Sequence, residues 1–269
     1  MIVEVTEPTD PRLDPFRWRE RQLASGPQRR ETVGAGMFVA EGDLVVDRAL
    51  AAGREPVALL CEPGHAGRLS GVVHADVPVY VGDDGLRKHV TGLGVPLSVT
   101  GLFRRPAPLD PVDLLRTSRR VVVAEAVDNP TNLGAVVRSA VALGWDGLLL
   151  DSTSADPLAR RALRVSMGAG LSLPHARTGA GGDIAGLLAS HGFVTYALTP
   201  GADAVDISSV MRTDGPMALL LGSERSGLSR GILASATHRV RIPMHGGTDS
   251  LNVGAAAAVA LHVLGPNGQ

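Results

Sequence analysis

The chain has 269 residues, 44% hydrophobic and 20% charged, which suits a protein that buries a real core, in one large domain or two modest ones, and excludes disorder as its default state. A formal net charge of −1 excludes a surface coated in positive charge, so any nucleic-acid partner must be met by a local patch. The single cysteine, Cys61, excludes an intrachain disulfide framework and a cysteine-rich zinc site.

The first residues, MIVEVTEPTD, carry acids where a secretory signal needs bases. An arginine-rich stretch from Asp14 to Ala24 reads as helical. A helix is predicted over Asp43 to Ala52, then strands VALLCE (57–62) and VPVYV (77–81), which together describe a small α/β domain placed at residues 1–107. The segment Leu102 to Arg120 carries three prolines and reads as a linker, set at 108–119, with a second domain over 120–269. In that second domain a strand over Val121 to Val127 is followed by a helix over Leu133 to Leu143 and a strand over Gly147 to Asp151. A helix opened by Asp156-Pro157 comes next, then strands FVTYALT (193–199), MALLLG (217–222) and VRIPM (240–244). Near-continuous apolar strands between helices predict an α/β fold with a mostly parallel sheet covered on both faces. The longest apolar stretch, Val253 to Leu264, is shorter than the roughly 20 residues of a membrane-spanning helix. A soluble cytoplasmic protein is the expectation.

Such a sheet invites a nucleotide reading, but the chain has no G-x-x-x-x-G-K-[ST] and no strand followed by G-x-G-x-x-G. A G-x-S-x-G elbow is also missing, and the histidines show no metal-ligand spacing, so no metal is expected.

Three polar clusters stand at the carboxyl ends of predicted strands. In the first, Asn132 reads as the N-cap of a helix that carries Arg138 nearly two turns later. In the second, Gly222, Ser223 and Glu224 follow an apolar strand and Gly227 relieves the turn, with glycine suited to close approach by a ligand. In the third, Gly246-Gly247, Asp249, Ser250 and Asn252 crowd the start of an alanine-rich helix that needs one cap. Each cluster alone also fits an ordinary reading as a capped turn with solvated polar groups. Ligands of open α/β sheets bind outside the carboxyl ends of strands, and on that rule the three clusters propose one site.

NPTNLGAVVRSA (129–140), LLLGSERSGLS (219–229) and IPMHGGTDSLNVGAAAA (242–258) resemble the three ordered motifs of the SpoU (TrmH-like) family of RNA ribose methyltransferases, in the SPOUT superfamily. RVSMGAGLSLP (164–174) is similar to the segment that links the first two motifs, and RRETVGAGMFVAEGDLVVDRALAAG (29–53) is similar to the small α/β RNA-binding domain, of ribosomal-protein type, that precedes many SpoU enzymes. The resemblance implies a SPOUT domain with a deep trefoil knot, which the general rule against threaded chains argues against. It further implies a homodimer that binds S-adenosylmethionine and methylates a ribose 2′-hydroxyl in structured RNA, ribosomal RNA being favoured over transfer RNA. Carried over by position, it makes Arg138 the catalytic arginine and sets Asn132, Glu224, Ser250 and Asn252 around the reaction centre. It assigns the cofactor to Gly222, Ser223, Ile242, Leu251 and Asn252, with Leu198, Thr199, Pro200 and Met244 as neighbours. Gly254 departs from the family, which has serine there more often.

A guanidinium is a poor general base. The reading for Arg138 is therefore a bidentate hold on an RNA phosphate and stabilisation of developing alkoxide charge, with Glu224 and Asn252 as orienting hydrogen-bonders. Candidate RNA contacts are Arg29 and Arg30, Arg116 and Arg119, and Arg160 and Arg161, although runs of arginine also serve as plain solvated faces. A non-enzymatic RNA-binding protein that keeps the fold, or a transfer-RNA methyltransferase, remains the competing expectation.

Overall fold

A computed structural model of the chain describes residues 1–24, 36–210, 214–246 and 250–266. They fall into two units: Met1–Ala107 with Leu158–Leu171, and Pro108–Pro157 with Ser172–Gln269.

The first unit runs through β1 (Ile2–Glu4), two single helical turns α1 (Asp14–Arg17) and α2 (Glu20–Leu23), β2 (Met37–Glu41) and α3 (Asp43–Ala51). It continues with β3 (Pro56–Cys61), α4 (Ala66–Val72), β4 (Val79–Val81), α5 (Asp84–Thr91) and β5 (Val99–Arg104). The sheet order is β1-β4-β3-β5-β2; β1, β4 and β3 are parallel, and β5 is antiparallel to both β3 and β2. One face buries Phe38 against Phe103, ring centroids 5.4 Å apart, and the other buries Leu13, Phe16, Leu23 and Leu60. The stretch Asp14 to Ala24 is not one helix, because Trp18 takes an extended ψ of 140° between the two turns. Burial pushes the Cys61 thiol up to about 11, which leaves it a core residue and no nucleophile.

The second unit contains α6 (Pro111–Thr117), β6 (Arg120–Ala124), α7 (Pro130–Ala142) and β7 (Gly147–Leu150). The chain then passes through α8 (Arg160–Val165), which groups with the first unit, and returns with β8 (His175–Arg177) and α9 (Ile184–Ser190). It ends with β9 (Val194–Leu198), β10 (Val205–Asp206), β11 (Met217–Leu221), α10 (Arg230–Ser235), β12 (His238–Arg241) and α11 (Val253–Leu264). The sheet order is β10-β12-β9-β11-β6-β7-β8, and every pairing among the described residues is parallel. Val121, Val123, Ala218 and Leu220 pack on one face with Leu114 of α6, Leu188 of α9 and Ile232 of α10. The alternate residues Val122, Leu148 and Leu219 are equally buried on the opposite face, which explains the unbroken apolar runs.

Several boundaries differ from the sequence reading. The supposed linker holds the last residues of β5 and all of α6, whose Leu114 and Leu115 are buried beneath an Asp110 N-cap and Pro111. β6 stops at Ala124 because Ala126 turns the chain with a φ of +55°. Asp156-Pro157 does not open a helix; α8 starts three positions after Pro157, behind Ala159. β12 stops at Arg241, before Ile-Pro-Met.

The segment Leu158–Leu171 is fixed in the first unit by both apolar and ionic contacts. Leu158, Leu163 and Leu171 join the cluster of Phe38 and Phe103. The Arg160 guanidinium donates to Glu41 Oε1 (3.2 Å) and to the carbonyls of Phe16 (2.6 Å) and Trp18 (3.1 Å). Arg164 lies 3.3 Å from the other oxygen of Glu41, a carboxylate only 5% exposed. Arg160 was expected to meet RNA, but its donors turn into the protein, where a buried carboxylate needs a cation.

Candidate active site

The helix that opens the first motif starts at Pro130, and Asn129, not Asn132, is its N-cap: Asn129 Oδ1 accepts from Thr131 N at 2.9 Å. Proline suits the first helical position, and the cap falls one residue before it. Asn132 is thereby moved into the first turn, 7% exposed, with its carboxamide free for tertiary use.

Its partner is Asn252, the N-cap of α11. Asn252 Oδ1 accepts from Gly254 N (2.9 Å) and Ala255 N (3.4 Å), while Nδ2 donates to Asn132 Oδ1 (3.0 Å) and Glu224 Oε1 (2.8 Å). The cap fixes which end of the amide is which, since a flipped carboxamide would face two N–H donors with its own NH2. Glu224 must therefore accept, and one residue from each motif meets the other two through Asn252. Glu224 itself is exposed.

The loop that carries Glu224 is closed on itself. Ser223 and Gly227 exchange two backbone hydrogen bonds, 3.2 and 3.0 Å, and Ser223 Oγ lies 2.8 Å from Ser226 Oγ. Gly227 has a φ of +65°, and a Cβ on Gly222 would sit 2.2 Å from Leu228 N. Glycine at 222 thus admits the chain's own backbone, which differs from the close ligand approach read from the sequence. At the far end, Glu125 Oε2 accepts from Ser229 N at 2.7 Å.

α11 lies close against α7. A Cβ at Gly254 would come within 2.8 Å of Ala135 Cβ, which gives a steric reason for glycine there. Trp145 Nε1 donates to Leu261 O at 3.1 Å and ties down the other end of α11.

Arg138 is not part of this cluster. It is exposed and stands about 240° around α7 from Asn132 at about 100° per residue. Ser250 is exposed, and Leu251 beside it is 42% exposed. Leu198 ends β9 and Thr199 and Pro200 follow it, Gly222 and Ser223 follow β11, and Ile242 and Met244 follow β12, so these expected cofactor residues stand at the carboxyl ends of neighbouring parallel strands. Of the RNA candidates, Arg116 is paired with Asp113 at 3.5 Å, Arg119 donates to Asp214 O at 2.7 Å, and Arg161 is exposed. Arg29 and Arg30 lie outside the described residues, as do Gly247 and Asp249.

A cleft of about 660 Å³ opens elsewhere in this unit, between Glu125, Asp151, Thr178, Asp183 and Ser229. None of the expected cofactor residues lines it. Burial opposes ionisation of Asp151, but hydrogen bonds from Ser154 and Thr153 outweigh it and hold the carboxyl below its usual range. Sequence reading missed Glu125 and Ser154; an acid inside the apolar run read as a strand over Val121 to Val127 was the only signal for Glu125.

Residues 119–262 match the model of the SpoU rRNA methylase family. An uncharacterized tRNA/rRNA methyltransferase of Mycobacterium tuberculosis is 35% identical over 265 residues, covering 97% of this chain and 91% of that protein. The chain belongs to the SpoU rRNA methylase family. This SpoU chain is also 26% identical over 238 residues to the 23S rRNA (guanosine(2553)-2'-O)-methyltransferase RlmP of Bacillus subtilis, covering 88% of the chain and 91% of RlmP. The AdoMet-bound rRNA methyltransferase from Sinorhizobium meliloti superposes with a TM-score of 0.82 at 26% identity, over 98% of this SpoU chain and 97% of the other. No helix among the described residues is long and apolar enough to cross a membrane.

Proposed function

We propose that this SpoU methylase transfers a methyl group from S-adenosylmethionine to a ribose 2′-hydroxyl of ribosomal RNA. The observation that carries the reading is the Asn132–Asn252–Glu224 cluster, which gathers the three family motifs at the carboxyl edge of the sheet in a chain akin to RlmP and to an AdoMet-bound rRNA methyltransferase.

The residues present fit the cofactor. Ile242 and Met244, half-buried, and Leu251, exposed, lie in the one connection from β12 to α11 and supply apolar surface of the kind a purine covers, while Thr199 and Gly222 stand at the ends of the neighbouring strands β9 and β11. S-adenosylmethionine, when bound, supplies the electrophilic methyl group. The chain's own task is to exclude water, align the hydroxyl and offset its developing charge. Asn252 holds Glu224 and Asn132 in register, Glu224 keeps a second oxygen for a substrate hydroxyl, and Ser250, exposed two residues before Asn252 in the chain, is a further candidate for the substrate. Arg138 holds the adjoining phosphate as a bidentate fork.

Because Arg138 stands away from the cluster of its own chain, a homodimer completes the site. α11 carries no Asp, Glu, Lys or Arg, and Val259 of α11 and Val141 of α7 are 40% and 38% exposed. An apolar face of this kind suits a second copy. Arg138 and Val141, three residues apart, share that face of α7, so dimerisation across it presents Arg138 to the partner's cluster. The deep trefoil knot belongs to the same proposal, supported by β11 lying between β9 and β6 and by the return of α11 from β12 onto α7. The first unit serves as the RNA-binding domain, with Arg116, Arg119 and Arg161 as further phosphate contacts, in a cytoplasmic enzyme.

The test is methyl transfer from labelled S-adenosylmethionine to ribosomal RNA taken from cells without the gene, with the product mapped as a 2′-O-methyl ribose. Calorimetry with S-adenosylmethionine accompanies it. Absence of binding would favour a non-enzymatic RNA-binding protein, and labelling confined to transfer RNA would move the substrate.

A further inference from the structure

The end of β6 carries a side chain that the three motifs leave unexplained. Glu125 directly follows the strand, and its backbone N–H continues the ladder to Leu221 O at 2.9 Å. Its Oε2 accepts from Ser229 N at 2.7 Å, and Ser229 is the N-cap of α10 that ends the loop bearing Glu224. The loop is thus held at its base by the Ser223–Gly227 pair, at Glu224 by Asn252, and at its exit by Glu125.

The next residue, Ala126, has a φ of +55°, a conformation that costs a residue with a Cβ and persists only where its surroundings enforce it. Ser154 supplies that enforcement. Only 6% exposed, its Oγ accepts from Val127 N (3.1 Å) and donates to Ala124 O (3.0 Å), and Ala155 N donates to Val127 O (2.9 Å). The enforced kink faces Glu125 towards Ser229 and sends Val127 to Asn129 on to α7, where Asn132 waits for Asn252.

We propose that Glu125 is a positioning residue for turnover: by fixing Ser229 it fixes where Glu224 stands relative to the Asn132–Asn252 pair. The kinetic part rests on the methyl transfer proposed above. The clamp needs an acceptor oxygen and no negative charge, so an amide at this position keeps it while a methyl group abolishes it.

The experiment compares Glu125→Ala and Glu125→Gln in the full chain, by steady-state methyl transfer and by amide hydrogen exchange over Ser223 to Ser229. Glu125→Ala should lower kcat by about 100-fold, the scale of a small misplacement of reacting groups, with KM for RNA unchanged. Glu125→Gln should recover kcat to within about 5-fold, since it exchanges a charge-assisted hydrogen bond for a neutral one. Exchange in the loop should quicken in Glu125→Ala and stay near wild type in Glu125→Gln. Should Glu125→Ala fail to fold, Ser229→Pro removes the donor instead, at a φ of −62° that proline accepts, with Ser229→Ala as the control for the lost cap hydroxyl. A wild-type kcat in Glu125→Ala, or a Glu125→Gln enzyme as impaired as Glu125→Ala, overturns the proposal. The exchange readout does not depend on turnover: if the wild-type chain methylates no RNA, faster exchange in Glu125→Ala still supports the clamp and equal exchange overturns it.

Discussion

Asn252 does two jobs that substitution can separate. Aspartate caps a helix as well as asparagine does, so Asn252→Asp should keep the cap and leave the melting temperature close to wild type. It would also set a carboxylate against Glu224, now 2.8 Å from the amide nitrogen, and put an acceptor against Asn132 Oδ1. Methyl transfer should therefore fall by about 100-fold or more while thermal melting barely moves; matched losses of both would mean that Asn252 acts only as a cap. Arg138→Lys addresses the fork geometry. A lysine keeps the charge but offers no planar pair of donors, and kcat/KM should drop by roughly 10-fold or more. Near-normal turnover in Arg138→Lys would remove bidentate phosphate binding as the reason for arginine.

At the scale of elements, α8 shows how a charge run misleads. Arg160, Arg161 and Arg164 look alike in sequence, yet the side chain of Arg160 is 17% exposed and paired with buried Glu41, while Arg161 is exposed. Arg160→Ala should lower stability by about 3 kcal/mol, the cost of stranding a buried carboxylate, moderated by the remaining contact with Arg164. Arg161→Ala should leave melting unchanged and lower the salt dependence of RNA binding, so a melt and a salt titration of both variants separate the roles. The helices and strands of the second unit were legible because strands buried on both faces read as apolar runs between turn residues. The exact start of α7 was not: Asn129 and Asn132 are equally good caps by residue type, and only Pro130 between them marks the first turn. β5 was missed in part because Gly101 and the following arginines read as loop. A Cβ at 101 would sit 2.4 Å from the Phe103 ring, so tertiary packing demands that glycine.

For the whole molecule, the homodimer proposal makes a direct demand on the exposed face of α7 and α11. Val259→Glu should yield a monomer in sedimentation at micromolar concentration, because a charge at the centre of an apolar interface goes unpaired. Methyl transfer should be lost with the dimer if Arg138 serves the partner's cluster; a fully active monomer would place the whole site in one chain.

The alternation of strands and helices, the polar clusters at strand ends and the family resemblance were all written in residues close to one another in the chain, where periodicity and turn chemistry act. The sequence alone determined that much. Which clusters meet depends on the order β12-β9-β11-β6, which brings together Asn132 and Asn252, 120 residues apart, and on Asn252 having both amide hydrogens left once its oxygen caps α11. The same holds for the return of Leu158–Leu171 to the first unit and for the turn of Arg160 towards Glu41. Local propensity carries no record of such contacts, since their energy comes from burial and desolvation that exist only once distant segments have packed.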